Sequence, residues 1–276
     1  MRQLSQAIAL SALACTFMGA AQAAMEAPDP ALQAAIANTQ RSPANAARDS
    51  ARHPYETLVF FGIKPHQTVV ELSPGGGWYT EILAPYLRDQ GKLIAAANDP
   101  NASSEFSRKS IDRFKQKLNA SPALFDKVQL GIFEPPSKQD YAAKNSADLV
   151  VTFRNIHNWV DAGGDADVKG VFQTAYDSLK RGGVFGVVEH RLPAGKTQDA
   201  KASSGYVHEA YVIKLAESVG FKLAAKSEIN ANPKDNAEHE GGVWALPPTY
   251  TNKDKDRAAY QAIGESDRMT LKFVKP

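Results

Sequence analysis

The chain has 276 residues, with 32 Lys and Arg against 30 Asp and Glu, a formal charge of +2 and a single cysteine. So even a balance, with no basic stripe, excludes the electrostatic footprint of a nucleic-acid binder. The length suits one α/β domain with a full core. Beyond the N-terminus no segment is apolar over the about 20 residues that a membrane span needs.

The first residues read as a leader. Arg2 supplies positive charge, residues 7–18 form a short apolar run, and Ala21-Gln22-Ala23 offers small residues for cleavage. This predicts a signal peptide over residues 1–23 and a secreted, periplasmic chain beginning at Ala24. Lipidation at Cys15 is disfavoured, because Ala12 stands where a lipobox usually has Leu and the apolar run continues past the cysteine. Cleavage at Ala23 removes the only thiol, so the mature chain has neither a disulfide nor a thiolate ligand.

Residues 24–54 are expected to form a helical extension. One helix starts at Pro30, and another starts at Pro43 with Ser42 as its N-cap. The main domain, residues 55–276, opens with a helix over 55–61 that Gly62 ends. Alternation follows: strand 68–72, helix 78–87 kinked at Pro85, strand 92–97 and helix 105–118. In that last helix Phe106, Ile111, Phe114 and Leu118 are read as one apolar face. Strands at 127–132 and 148–153, helix 168–179, strand 184–188, helix 209–219 closed by Gly220 and strand 221–229 complete the pattern. Alternation of this kind means a doubly wound, mostly parallel sheet covered on both faces. Residues 268–274 alternate Met, Leu and Phe with Thr and Lys, as on an antiparallel edge. The irregular stretch before them, 231–267, is long enough to carry function.

The run Glu71-Leu72-Ser73-Pro74-Gly75-Gly76-Gly77-Trp78-Tyr79-Thr80 joins the first strand to its helix. Glycines there let the backbone turn tightly and approach a ligand. A dinucleotide fingerprint wants Gly or Ala where Thr80 stands. Asn98 lies 21 positions past Gly77, near the roughly 20 expected of a ribose contact. It is an amide in an Asn-Asp-Pro sequence, which also favours a plain turn.

Residues 71–80 resemble the first motif of the class I S-adenosylmethionine-dependent methyltransferases. The alternation and last strand look like that family's seven-stranded sheet, whose final strand inserts antiparallel. The run Arg154-Asn155-Ile156-His157-Asn158-Trp159 resembles an R-N-x-H-N-W signature found in a group of exported, predicted methyltransferases. Leu179-Lys180-Arg181-Gly182-Gly183 is similar to the turn before the fifth strand in many class I members, with Arg181 in place of Pro. The resemblance implies S-adenosylmethionine as cofactor. Glu71, Ser73, Gly75 and Gly77 would surround its methionine part, Asn98 its ribose and Glu134 its adenine, with Arg154 and Asn155 on the floor. Asn98 in place of the usual acid, and Phe133-Glu134-Pro135-Pro136 in place of an Asp-containing turn, depart from the family pattern.

Methyl transfer needs alignment and a base of near-neutral pKa. His157 and His190, each just past a strand, are the candidates, with Glu189, Arg191, His208 and Glu209 nearby in sequence. Asn155, His157 and Asn158 equally suit a loop pinned by hydrogen bonds. No spacing of metal ligands is present, so no metal is expected. Trp78, Tyr79 and Trp159 suit either a substrate wall or core. A small-molecule methyl acceptor follows from this reading. A non-catalytic periplasmic ligand binder on the same fold is the alternative, since the cofactor is made in the cytoplasm. Nothing in the sequence speaks to oligomeric state.

Overall fold

The computed structural model describes residues 28–276 of the chain, and the signal peptide expected at residues 1–23 lies outside them. Four helices come first: α1 (Pro30–Ile36), α2 (Pro43–Ala46), α3 (Asp49–Arg52) and α4 (Pro54–Phe61). The alternating body follows: β1 (Thr68–Leu72), α5 (Thr80–Leu87), β2 (Lys92–Ala97), α6 (Glu105–Ala120), α7 (Pro122–Phe125) and β3 (Gln129–Ile132), then β4 (Ala147–Phe153), α8 (Ile156–Ser178) and β5 (Leu179–Leu192). The chain ends with β6 (Val207–His208), α9 (Glu209–Ser218), β7 (Lys222–Ser227), a 3-10 turn over Gly242–Ala245, α10 (Arg257–Ile263) and β8 (Arg268–Val274).

Seven strands lie in the order β3-β2-β1-β4-β5-β8-β7, and the short β6 pairs with β5 off this path. Neighbours from β3 to β5 run parallel, while β8 is antiparallel to both β5 and β7. The doubly wound, mostly parallel sheet is therefore present, with its last strand antiparallel. That strand is interior, however, not at the edge its alternation suggested. Met269, Leu271 and Phe273 enter the core, and Thr270 on the other face is buried too. Asn230 bridges Thr270 to Thr57 with hydrogen bonds of 2.9 and 3.0 Å, so the polar face is covered rather than wet.

Alternate side chains of the buried strands feed two cores. Val70, Leu72, Ile94, Ala96 and Val150 pack with Phe172 of α8 and Val212 of α9. On the opposite face Val69, Leu93, Leu149 and Val151 pack with Leu32, Leu58, Phe61 and Ile82. Each such branched side chain contributes roughly 1.5–3 kcal/mol when fully buried. Helices α1 and α4 thus form part of this core. Asp29 caps α1 by accepting from Leu32 N at 3.0 Å and receives the Tyr86 hydroxyl at 2.5 Å, tying α1 to α5.

Several boundaries differ from the sequence reading. Helix α2 has four residues, and the Ser42 side chain makes no capping bond. Trp78 and Tyr79 belong to the turn before α5, which starts at Thr80. Phe106 is 74% exposed, and Ser107 takes the buried place; residues 107, 111, 114 and 118 share one face at helical spacing, whereas 106 points away. Helix α8 begins twelve residues before the expected 168. Gly163 and Gly164, at φ −153° and +64°, break it and interrupt the period that marks a helix.

Gly186 of β5 tests the helical cover. A Cβ built there would lie 2.7 Å from the Phe61 ring. Gly186→Ala should destabilise the fold by about 1–3 kcal/mol, read from urea unfolding. An unchanged midpoint would mean that α4 is not seated on β5.

Candidate active site

The glycine loop leaves the carboxyl end of β1. Ser73 turns it at φ +49° while its N–H donates to Ala96 O at 2.9 Å. Gly75 follows at φ +57°, and a Cβ there would meet nothing within 4 Å. Gly77, at φ +74°, is different: its Cβ would lie 3.1 Å from Phe114 and 3.3 Å from Lys117, so its smallness serves packing against α6. Lys117 Nζ donates to Gly76 O at 2.9 Å and pairs with Glu81 at 2.5 Å. A hollow of about 470 Å³ lies between Gly75, Gly76 and the α6 side chains Phe106, Ser110 and Arg113.

Glu71 is buried at the end of β1, and Thr80 Oγ1 donates to it at 2.6 Å. Burial pushes its carboxyl up to about 7, against the pull of Thr80 and Lys117. Asn98 and Glu134 meet at the ends of β2 and β3, where Asn98 Nδ2 donates to Glu134 Oε2 at 2.9 Å. Glu134 also accepts from Asp99 N at 3.2 Å and from Ser107 Oγ at 2.6 Å, which fixes the start of α6. Asn155 ties β4 to the glycine loop, its Nδ2 donating to Leu72 O at 3.2 Å and Thr152 Oγ1 at 3.1 Å.

The histidines sit one strand further along. Glu189 of β5 is fully buried. Its Oε2 accepts from Ile156 N at 2.5 Å and His157 N at 3.4 Å, closing the first turn of α8, where the Asn155 side chain makes no cap. Its Oε1 accepts from His190 N at 2.8 Å and lies 3.0 Å from His157 Nδ1. A carboxylate can only accept, so Nδ1 carries a proton and, in the neutral ring, Nε2 is left as an acceptor. His157 Nε2 makes no hydrogen bond among the described residues, and His157 lines a cavity of about 330 Å³. His190 lines the same cavity, 5.4 Å from His157 between ring centroids, with Nδ1 2.5 Å from Ser266 Oγ. Burial first, then His157 and the arginines, holds His190 well below the ordinary imidazole range.

The ligating atoms of His157, Glu189 and His190 all lie within 4.8 Å of one another. The Glu189 oxygens are already taken by three backbone N–H groups and the His157 ring, and the arginines around the cavity repel a cation. This chemistry favours a proton-transfer pair over a metal centre.

Arg154 faces this cavity rather than the glycine hollow. It is held at φ +61° with its N–H donating to Val188 O at 2.7 Å. Arg48 and Arg52 join it from the N-terminal helices, and Trp244, Pro247, Pro248 and Glu265 from the long irregular stretch. Sequence reasoning gave none of these six a role in the site. The length of that stretch was the one signal, and only the tertiary fold brings Arg48 and Arg52 to the site. Trp78, Tyr79 and Trp159 are buried core instead: Tyr79 stacks on Phe153 at 3.5 Å, and Trp159 packs edge-on against Phe133. His208 contacts Lys196 O at 2.8 Å, and Arg191 pairs with Glu209, Glu228 and Asp267; none of His208, Glu209 and Arg191 lines the cavity.

Glu71 gives a pH test. In the folded chain it keeps its proton up to about 7, whereas its ordinary value is 4.5. The folded state therefore binds more protons between these values, and stability falls as pH rises across that window. The full effect is on the order of 3 kcal/mol. Glu71→Gln, which still accepts from Thr80, should flatten the unfolding free energy between pH 4.5 and 7 relative to the parent. Parallel curves would show that Glu71 is ionised throughout.

No family model matches the chain. A stretch of 74 residues is 34% identical to ribosomal RNA small subunit methyltransferase H of Fusobacterium nucleatum. It covers 27% of this chain and only 23% of the length of that enzyme. Among solved structures, a SAM-dependent methyltransferase from Aquifex aeolicus superposes with a TM-score of 0.55 at 13% identity, over 85% of this chain and 94% of that one. Geranyl diphosphate C-methyltransferase from Streptomyces coelicolor A3(2), solved with Mg2+, geranyl diphosphate and S-adenosyl-L-homocysteine, gives 0.54 at 12% identity over 88% of each chain. The strand order, the interior antiparallel last strand and these superpositions agree: the chain has the fold of the class I S-adenosylmethionine-dependent methyltransferases.

Proposed function

We propose that the protein is an S-adenosylmethionine-dependent methyltransferase acting on a small molecule, one of the exported group with the R-N-x-H-N-W run. The observation that carries this reading is the His157–Glu189 pair, 3.0 Å apart, with its free Nε2 in a cavity beside the cofactor end of the sheet. The near-neutral charge of the chain favours a small acceptor over a nucleic acid.

The residues at the ends of β1 and β2 fit the cofactor. Gly75 leaves open the space that a Cβ would fill. Asn98 Oδ1 makes no hydrogen bond among the described residues and suits a ribose hydroxyl. S-adenosylmethionine supplies a methyl group already activated on its sulfonium. The protein aligns the acceptor and takes its proton. His157 Nε2 receives that proton, and Glu189 holds the ring in the right tautomer and stabilises the imidazolium that forms. His190, depressed by burial, is the weaker base.

Calorimetric titration of the purified protein with S-adenosylmethionine tests the cofactor. Binding is expected, and Gly75→Val, which places a side chain in that open space, should abolish it while circular dichroism stays native. Unchanged binding would locate the cofactor elsewhere, and none in the parent would favour a non-catalytic role. With an acceptor found by screening phenols and thiols, His157→Gln should lower turnover on the order of a hundredfold and leave cofactor affinity as it was. Full turnover would remove His157 as the base.

We also infer export. The secreted protein should show an intact mass that starts at or within two residues of Ala24. A retained Met1, or a lipid on Cys15, would contradict this.

A further inference from the structure

The polar wall of the histidine cavity is cationic. Arg48, Arg52 and Arg154 line it, and Glu265 is the one carboxylate that does so among the described residues. Glu265 accepts from Arg48 Nε at 2.6 Å, Arg52 Nε at 3.2 Å and the buried Arg268 at 3.2 Å. One carboxylate thus pairs with three guanidinium groups. Arg154 takes no share of it: its guanidinium makes no hydrogen bond or ion pair among the described residues. A half-buried cation with five donors and no acceptor is costly unless something supplies one. Burial and the neighbouring Arg268 both oppose the charge on Arg154, while Glu265 favours it.

The other wall is apolar. Val243, Trp244, Pro247 and Pro248 form it, and Trp244 stands edge-on to His157 at 5.8 Å. A volume of about 330 Å³ lies at the lower end for a small-ligand site and suits a single-ring molecule. A guanidinium fork matches two coplanar oxygens, and an apolar wall rewards an organic body over a hydrated inorganic anion.

We propose that the acceptor is a compact organic carboxylate. Its carboxylate sits on Arg154 beside Arg48 and Arg52, and its apolar body lies against Trp244 and Pro247, with the methyl-accepting group at His157 Nε2. The word acceptor rests on the methyltransferase reading; the binding of a carboxylate does not.

Benzoate is the probe, with benzamide as its neutral counterpart and inorganic phosphate as a second anion, each titrated calorimetrically into the purified protein. Benzoate should bind, and benzamide roughly tenfold or more weakly. Arg154→Gln should cost benzoate roughly ten- to hundredfold in affinity. Glu265→Gln should strengthen benzoate binding, a gain that damaged packing cannot produce. Trp244→Ala should weaken benzoate and leave phosphate unaffected. Equal binding of benzamide, no binding of benzoate, or phosphate binding tighter than benzoate in both parent and Trp244→Ala would each overturn the proposal. So would displacement of benzoate by S-adenosylmethionine, which would assign the arginines to the cofactor's own carboxylate. The benzoate titrations need neither cofactor nor turnover, so they can fail while the methyltransferase reading stands, and the reverse.

Discussion

Glu189 is a buried carboxylate on which the whole histidine end of the sheet depends. It lies on β5, next to β4, and receives the N–H groups of Ile156, His157 and His190. Two of these are orphan donors in the first turn of α8, where a negative charge is favoured by the helix dipole as well. The same carboxylate meets His157 Nδ1. One side chain therefore starts a helix, holds the turn after β4 and sets the tautomer of the proposed base. Each N–H stranded by its loss costs about 1–3 kcal/mol, so structure and chemistry are coupled at this residue.

Strand order divides the labour. β1 lies between β2 and β4, and β4 between β1 and β5. The open glycine face and Asn98 therefore stand over β1 and β2, while the histidines stand over β4 and β5. Asn155 joins the two halves, because it grows from the end of β4 and donates to the end of β1. The N-terminal helices and the stretch after β7 close the histidine side, meeting at the Arg48–Glu265 and Arg52–Glu265 pairs. The cavity is thus built from segments more than 200 positions apart.

The alternation of apolar runs and glycines made the body legible: β1 carries Val69-Val70 and β4 carries Leu149-Val150-Val151, and Gly62 stops α4 at φ +81°. Histidines at strand ends were legible for the same reason. Four features were not. The start of α8 was hidden by Gly163 and Gly164, since its first turn is held by Glu189 rather than by its own period. The interior place of β8 was hidden because Asn230 buries the polar face that alternation assigns to solvent. Glu134 carries the sequence pattern of a cofactor contact, yet its carboxylate is occupied by Asn98, Asp99 and Ser107. The cationic wall depends on tertiary proximity: Arg48 and Arg52 are unremarkable in sequence, Arg154 is expected beneath the cofactor, and only the folded chain brings the three to one cavity.

The proposed chemistry turns on the position of one proton. Nitrogen chemical shifts of ring-labelled histidine, assigned to His157 with the aid of His157→Gln, report which nitrogen is protonated in the neutral ring. The Nδ1–H form is expected, with Nε2 bare towards the cavity. A neutral His157 protonated at Nε2 would mean that Glu189 does not orient it and that no base faces the acceptor.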